Sequence, residues 1–161
     1  MIYKHSQMKQ RLPLILVVTI LFTLLYTCTK HKFTTDPQLK VKSISPNTVF
    51  NGDIIVMNAD FTDAEGDIDS ALIVYKWYKV DSVTKKDTFR YSIADIKLPP
   101  KTKEGEIFVK FEYNSNNFPN IASPISGVSK DTTATFGLIL KDKAAHRSNY
   151  SESDRIRLKK V

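Results

Sequence analysis

Cysteine is almost absent from this sequence: Cys28 is the only one in 161 residues. No disulfide can form within the chain, so the fold must rest on its core alone. Glycine is nearly as rare, with five in the chain, and none belongs to a phosphate-cradling Gly-rich loop. The three histidines, His5, His31 and His146, are far apart and none has a second His at ligand spacing. No apolar run reaches the roughly 20 residues that a permanent transmembrane helix needs.

What is present begins with an address. Met1 to Arg11 carries Lys4, Lys9 and Arg11 and no acidic residue, and residues 12 to 25 carry no charge. A basic start followed by a short apolar run is the layout of a secretory signal. Pro13 opens that run, where a helix tolerates it, so the segment is expected to be a helical signal peptide over residues 1–27. No A-x-A cleavage site follows. The run instead ends Leu25-Tyr26-Thr27-Cys28, which resembles a lipobox, the Leu-x-small-Cys motif of bacterial lipoproteins. Tyr26 is bulky and Thr27 is larger than the usual Gly or Ala, a relaxed pattern similar to that of Bacteroidetes lipoproteins.

That resemblance implies a diacylglycerol on the Cys28 thiol, cleavage before it and acylation of the new amino terminus. Each buried methylene contributes about 0.8 kcal/mol, and two or more chains anchor stably. No Asp follows Cys28 directly, and Lys30, His31 and Lys32 stand where some surface-exported relatives carry acidic residues. The implied location is the cell envelope, on the periplasmic face of the outer membrane. An uncleaved signal anchor is the alternative.

The first 27 residues hold three of the 24 Lys and Arg and none of the 17 Asp and Glu. The remaining 134 residues therefore carry a formal charge of +4 against +7 for the whole chain. A charge that small, with no basic cluster on one helix, speaks of solubility and gives no footprint for nucleic acid. Residues 28–38 form a lipidated cysteine and polar tether, and 39–161 one domain of ordinary size.

From Leu39 the hydrophobic period is two. Strands are expected at Leu39–Ile44, Ile54–Phe61, Ala71–Val80, Thr88–Ile93, Ile107–Tyr113, Thr132–Leu140 and Arg155–Val161. Asn51-Gly52 marks a tight turn between extended segments, and Asn114 to Pro124 reads as a loop. About seven short strands and no convincing helix predict an all-β, antiparallel sandwich, immunoglobulin-like in pattern, with Trp77 at a core position.

One constellation carries chemistry. In Asp63-Ala64-Glu65-Gly66-Asp67-Ile68-Asp69, four carboxylates stand at alternate positions and Gly66 permits a sharp turn. Four such charges repel unless solvent, a cation or backbone N–H groups stabilise them. Calcium takes six to eight oxygens and is the natural candidate. The loop is not an EF-hand: its Gly is one place early and the bidentate Glu is missing. It does resemble the Phe-x-Asp-x-x-Gly-Asp-Ile segment of small Bacteroidetes lipoproteins with immunoglobulin-like domains, as does the run from Phe136 to Asn149. If both loops share one end of the sandwich, Asp142 joins Asp63, Glu65, Asp67 and Asp69 as a ligand. A solvated acidic turn is the competing account.

Glu104 and Glu106 read as a solvated pair on a polar turn, and most aromatics from Tyr75 to Tyr113 are expected in the core. The leading expectation is a non-catalytic binding or structural module that meets an envelope protein or an oligosaccharide. The alternatives are a small periplasmic hydrolase using Asp or Glu and a calcium-stabilised carbohydrate- or protein-binding domain.

Overall fold

A computed structural model describes residues 34–92 and 98–161, all within one compact unit. The signal segment, Cys28 and most of the tether lie outside the described residues. Nine strands follow one another: β1 (Gln38–Ser45), β2 (Thr48–Val49), β3 (Ile54–Thr62), β4 (Ile68–Lys79), β5 (Ser82–Ser92), β6 (Glu104–Glu112), β7 (Thr132–Asp142), β8 (Ser151–Glu152) and β9 (Ile156–Leu158). No helix occurs among the described residues. The expected all-β sandwich is what the chain forms.

One sheet has the order β1-β3-β6 and the other β2-β9-β7-β4-β5, with β8 also along β7. Pairing is antiparallel except between β2 and β9. Alternation selects the inner face. Ile55, Met57, Ala59 and Phe61 of β3 are buried, as are Ile107, Val109 and Phe111 of β6. Across the layer they meet Ala71, Ile73 and Tyr75 of β4 and Ala134, Phe136, Leu138 and Leu140 of β7. Phe111 joins the sheets: its ring lies 5.1 Å from that of Phe136 and 5.5 Å, edge-on, from that of Phe89. Such pairs contribute about 0.5–1.5 kcal/mol each beyond the area they bury.

β4 and β6 each begin three residues earlier than expected, at Ile68 and Glu104, so Glu104 and Glu106 stand on a strand and not a turn, and three further features differ from expectation. β5 begins six residues before Thr88, because hairpin pairing to β4 holds Ser82 to Asp87 in register although nearly every side chain there is exposed. Its expected end, Ile93, lies outside the described residues. The Asn51-Gly52 turn is present, with Gly52 at φ 86° and Asp53 N–H donating to Phe50 O at 3.0 Å. Its flanks do not pair with each other, since β2 and β3 belong to different sheets. Trp77 is only half-buried and packs at the margin of the core, beneath the Lys85 ammonium 4.2 Å from its ring centroid. Phe111, Phe136 and Tyr113 occupy the centre instead.

The registers define two ends. Gln38, where the chain enters β1, stands opposite Thr62, which stands opposite Glu104. Ile68 stands opposite Asp142. The crossover 63–67, residues 98–103 and the loop after Asp142 therefore share the entry end. The β4–β5 hairpin, the β2–β3 turn and the segment 113–131 lie at the far end.

A polar network on the outer face of the larger sheet ties β8 to its neighbours. Lys76 Nζ donates to Glu152 Oε2 at 2.8 Å, and Thr135 Oγ1 and Tyr78 OH both donate to Glu152 Oε1. Burial pushes the Glu152 carboxyl up, but hydrogen bonds from Lys76 and Thr135 outweigh it and hold the group below its ordinary value. A carboxyl depressed in the folded state stabilises the fold above its unfolded value and loses that contribution as pH falls through the folded one. Urea unfolding of the detergent-solubilised chain should show stability falling between about pH 5 and pH 3, with a shallower fall in Glu152→Gln. Equal slopes in the two proteins would contradict the network's role. At the core, Phe111→Ala should cost about 3–5 kcal/mol in the same measurement, as large aromatic deletions do.

Candidate functional site

At the entry end the chain leaves β3 after Thr62 and must join the other sheet at Ile68. The turn is made by Gly66, at φ 68°, pressed against the backbone of Lys101: a Cβ there would lie 2.6 Å from the Lys101 carbonyl carbon. Asp63 N–H donates to Lys103 O at 2.7 Å, and Asp67 N–H returns to Asp63 Oδ2 at 2.9 Å. The turn thus bends back on itself, bringing Asp63 and Asp67 together. Lys143 N–H donates to Asp67 O at 3.2 Å and ties the crossover to the loop after β7.

Asp142, the last residue of β7, completes the group. One carboxylate oxygen from each of Asp63, Asp67 and Asp142 lies within 4.8 Å of the other two. Asp63 and Asp142 are buried and Asp67 is half-buried. His146 N–H donates to Asp142 Oδ1 at 2.8 Å, and its ring Nδ1 lies 2.7 Å from Asp142 Oδ2. The bond to Asp142 is the main reason that the His146 imidazole titrates above its ordinary value, with Asp36 and Glu65 adding to the field. Asp63 Oδ1 and Asp67 Oδ1 are buried and have no hydrogen-bond partner.

Of the five acidic residues expected in the site, three converge. Glu65 is at the exposed tip of the turn. Asp69 sits at an irregularity where the β4–β7 register shifts between Ile68 and Ser70, and its carboxylate pairs with Arg90 at 3.1 Å. Alternate spacing predicts one face only for an extended chain; the left-handed Gly66 and this bulge each break the period. The coupling of His146 to Asp142 carried no sequence signal beyond their i,i+4 spacing. A shallow groove of about 470 Å³ adjoins the cluster, lined by Glu65, Asp67, Ile68, Pro99, Lys101 and Lys143.

The other candidates disperse. Glu106 pairs with Lys42 at 3.0 Å on the exposed face of the smaller sheet. Tyr75, Tyr91, Phe111 and Tyr113 are buried, and Tyr78 is half-buried under the Arg155 guanidinium. Of the eight aromatics from Tyr75 to Tyr113, only Phe108 is exposed, so they do not form a flat platform.

The sequence matches no family model and no curated protein. Among solved structures it is similar to the sporulation control protein Spo0M from Bacillus subtilis, at 11% identity and a TM-score of 0.40, over 80% of this chain and 51% of that one. It is also similar to a Niemann-Pick type C2 protein from Japanese carpenter ant, at 12% identity and 0.42, over 80% of this chain and 98% of that one. A third is the Pseudomonas fluorescens alkylpurine DNA glycosylase AlkC, at 9% and 0.43, over 78% of this chain and 31% of that one. The chain thus spans about half of Spo0M and a third of the glycosylase. Likeness at this level does not reach activity or partner.

The turn itself makes a prediction. Gly66→Ala places a Cβ against backbone at positive φ, where strain of about 1–3 kcal/mol is usual. Chemical denaturation should show a loss of at least that size, whereas Ala64→Gly, two residues before the left-handed position, should cost less.

Proposed function

We propose that this chain is an exported lipoprotein, cut before Cys28 and lipidated there, whose sandwich serves as a non-catalytic binding or structural module in the cell envelope. The observation that carries the second half is the distribution of exposed apolar side chains relative to the point of entry. Phe50, Val80, Val83, Phe118 and Val161 are all 43% or more exposed and belong to the far end defined by the strand registers, whereas Phe108, 48% exposed, stands mid-strand on β6. Exposed apolar groups gathered on one end mark an interaction surface more often than scattered ones do.

The tether fits that arrangement. Nine residues, 29 to 37, separate Cys28 from Gln38, a reach of at most about 30 Å when fully extended. A lipid on Cys28 would hold the domain by its entry end, close to the bilayer, and turn the far end outward. Its contact there would be an envelope protein or an oligosaccharide. The far end is also braced for such use. Glu112, fully buried, accepts backbone N–H groups from Asn117 at 3.1 Å and Phe118 at 3.4 Å, and so fixes the loop that carries Phe118. The address itself supports the periplasmic face of the outer membrane, since the residues after Cys28 are basic.

Metabolic labelling with an alkyne palmitate analogue should tag the wild-type chain and leave Cys28→Ser untagged and longer by the uncleaved signal. A full-length, untagged wild-type product would instead mean an uncleaved anchor. With the anchored protein, a photo-crosslinking residue at Val80 or Phe118 should capture an envelope component. The same residue at Glu106, on the exposed face of β6, should not; equal capture from both would remove the case for the far end.

A further inference from the structure

We infer that the entry end holds a divalent cation, calcium by the chemistry of its ligands, between Asp63, Asp67 and Asp142. This inference is independent of the lipid anchor and of the far-end surface. It starts from the two buried oxygens without a donor, Asp63 Oδ1 and Asp67 Oδ1. Asp63 is fully buried, and removing a carboxylate from water without a compensating partner costs several kcal/mol.

Glu112 shows what compensation looks like in this same domain. It is equally buried, and each of its two oxygens accepts a backbone N–H. Asp63 has that arrangement on one oxygen only, Oδ2, which accepts from Asp67 N–H. Among the described residues no Lys or Arg nitrogen lies within ion-pair distance of Asp63 or Asp67. Three carboxylates therefore converge, and two of them, Asp63 and Asp67, each bury an oxygen that no donor compensates.

The dimensions and the donor chemistry fit calcium. Calcium binds oxygen at about 2.3–2.6 Å, so two of its ligands can stand up to about 5 Å apart. Magnesium, at about 2.0–2.1 Å, limits that span to about 4 Å and demands near-octahedral geometry. Ligand oxygens that all lie within 4.8 Å of one another fit inside the calcium span, and irregular donors from two segments suit its more tolerant geometry. The donors are all hard oxygens, which fits calcium and disfavours zinc or copper.

The cation would have few protein ligands. Both oxygens of Asp142 already accept from His146, and Asp63 Oδ2 is engaged by Asp67. Water must fill much of a shell of six to eight, which places the affinity in the range of extracellular modules, a Kd of about 0.1–1 mM. The consequence is mechanical. Asp63 and Asp67 belong to the crossover between the sheets, and Asp142 ends β7. The loop after β7 continues to Asn149, whose side chain pairs with the Leu39 backbone at 2.8 and 2.7 Å. One ion would lock the crossover, the β7 loop and, through Asn149, the first strand.

The main rival is a proton shared within the cluster, which also neutralises repulsion without a metal. Calcium chloride titrated into the detergent-solubilised full chain at pH 7.5 should give calorimetric binding at one site per chain. Thermal unfolding in 5 mM calcium chloride should shift upward, and the same concentration of magnesium chloride should shift it less. Asp67→Asn should weaken calcium binding at least tenfold. Asp69→Asn, whose carboxylate pairs with Arg90 outside the cluster, should leave it unchanged. Asp63→Asn tests the rival directly: if a shared proton is the answer, this variant keeps or gains stability and the wild type shows neither heat nor shift with calcium. Absence of both signals in the wild type, equal shifts with magnesium, or equal affinity in Asp67→Asn and wild type would each overturn the assignment.

Discussion

The structure depends on one short passage between its sheets. Phe61 ends the buried row of one sheet and Ile68 begins the buried row of the other, and sheets in a sandwich stand about 10 Å apart. Six residues must cross that gap at the edge of the core without leaving backbone groups unsatisfied. The chain meets the requirement by turning through Gly66 against Lys101 and by using an Asp63 carboxylate oxygen to accept the Asp67 N–H. A carboxylate recruited as a backbone acceptor is buried along with the backbone it serves. Its second oxygen is buried too, and the electrostatics of the entry end follow from that.

Much of the fold was legible because two-residue periodicity survives wherever one face of a strand meets the core. Ile55-Met57-Ala59-Phe61 and Ile107-Val109-Phe111 read directly as inner faces, and they are inner faces. The reading weakens where packing does not choose the residue. Lys85, Lys86 and Asp87 extend β5 only because β4 offers hydrogen bonds beside them. The two-residue strands β2 and β8 are too short to show a period. Trp77 looked central by type, yet a position opposite Lys85 near the hairpin leaves the indole at the margin.

The acidic loop was legible in composition and only partly in geometry. Alternation from 63 to 69 treats the segment as extended, which would put all four carboxylates on one face. A left-handed glycine converts the relation between Asp63 and Asp67 into a turn closed on itself, leaving Glu65 at its tip. The register shift after Ile68 then aims Asp69 at Arg90. Asp142 joins from about 75 residues away in sequence because β7 pairs with β4 along its length and ends opposite Ile68. Sequence spacing cannot express that juxtaposition; only the pairing of the two strands can.

Without a disulfide, a domain of this size has two means of fixing its loops: apolar burial and polar closure. The two ends use them differently. At the far end Glu112 closes its loop with backbone donors, and Tyr113 OH accepts from Val128 N–H while donating to Lys159 O. Among the described residues, no buried side-chain oxygen at that end lacks a partner. At the entry end the same kind of closure stops two oxygens short. The asymmetry follows from geometry: the segment 113–131 is long enough to fold its own N–H groups around a carboxylate, whereas the five-residue crossover turns one N–H, that of Asp67, onto Asp63 and sends that of Asp63 out to Lys103. A group from outside the chain is the physical remedy for such a deficit, and the end by which the chain enters is where the remedy is required.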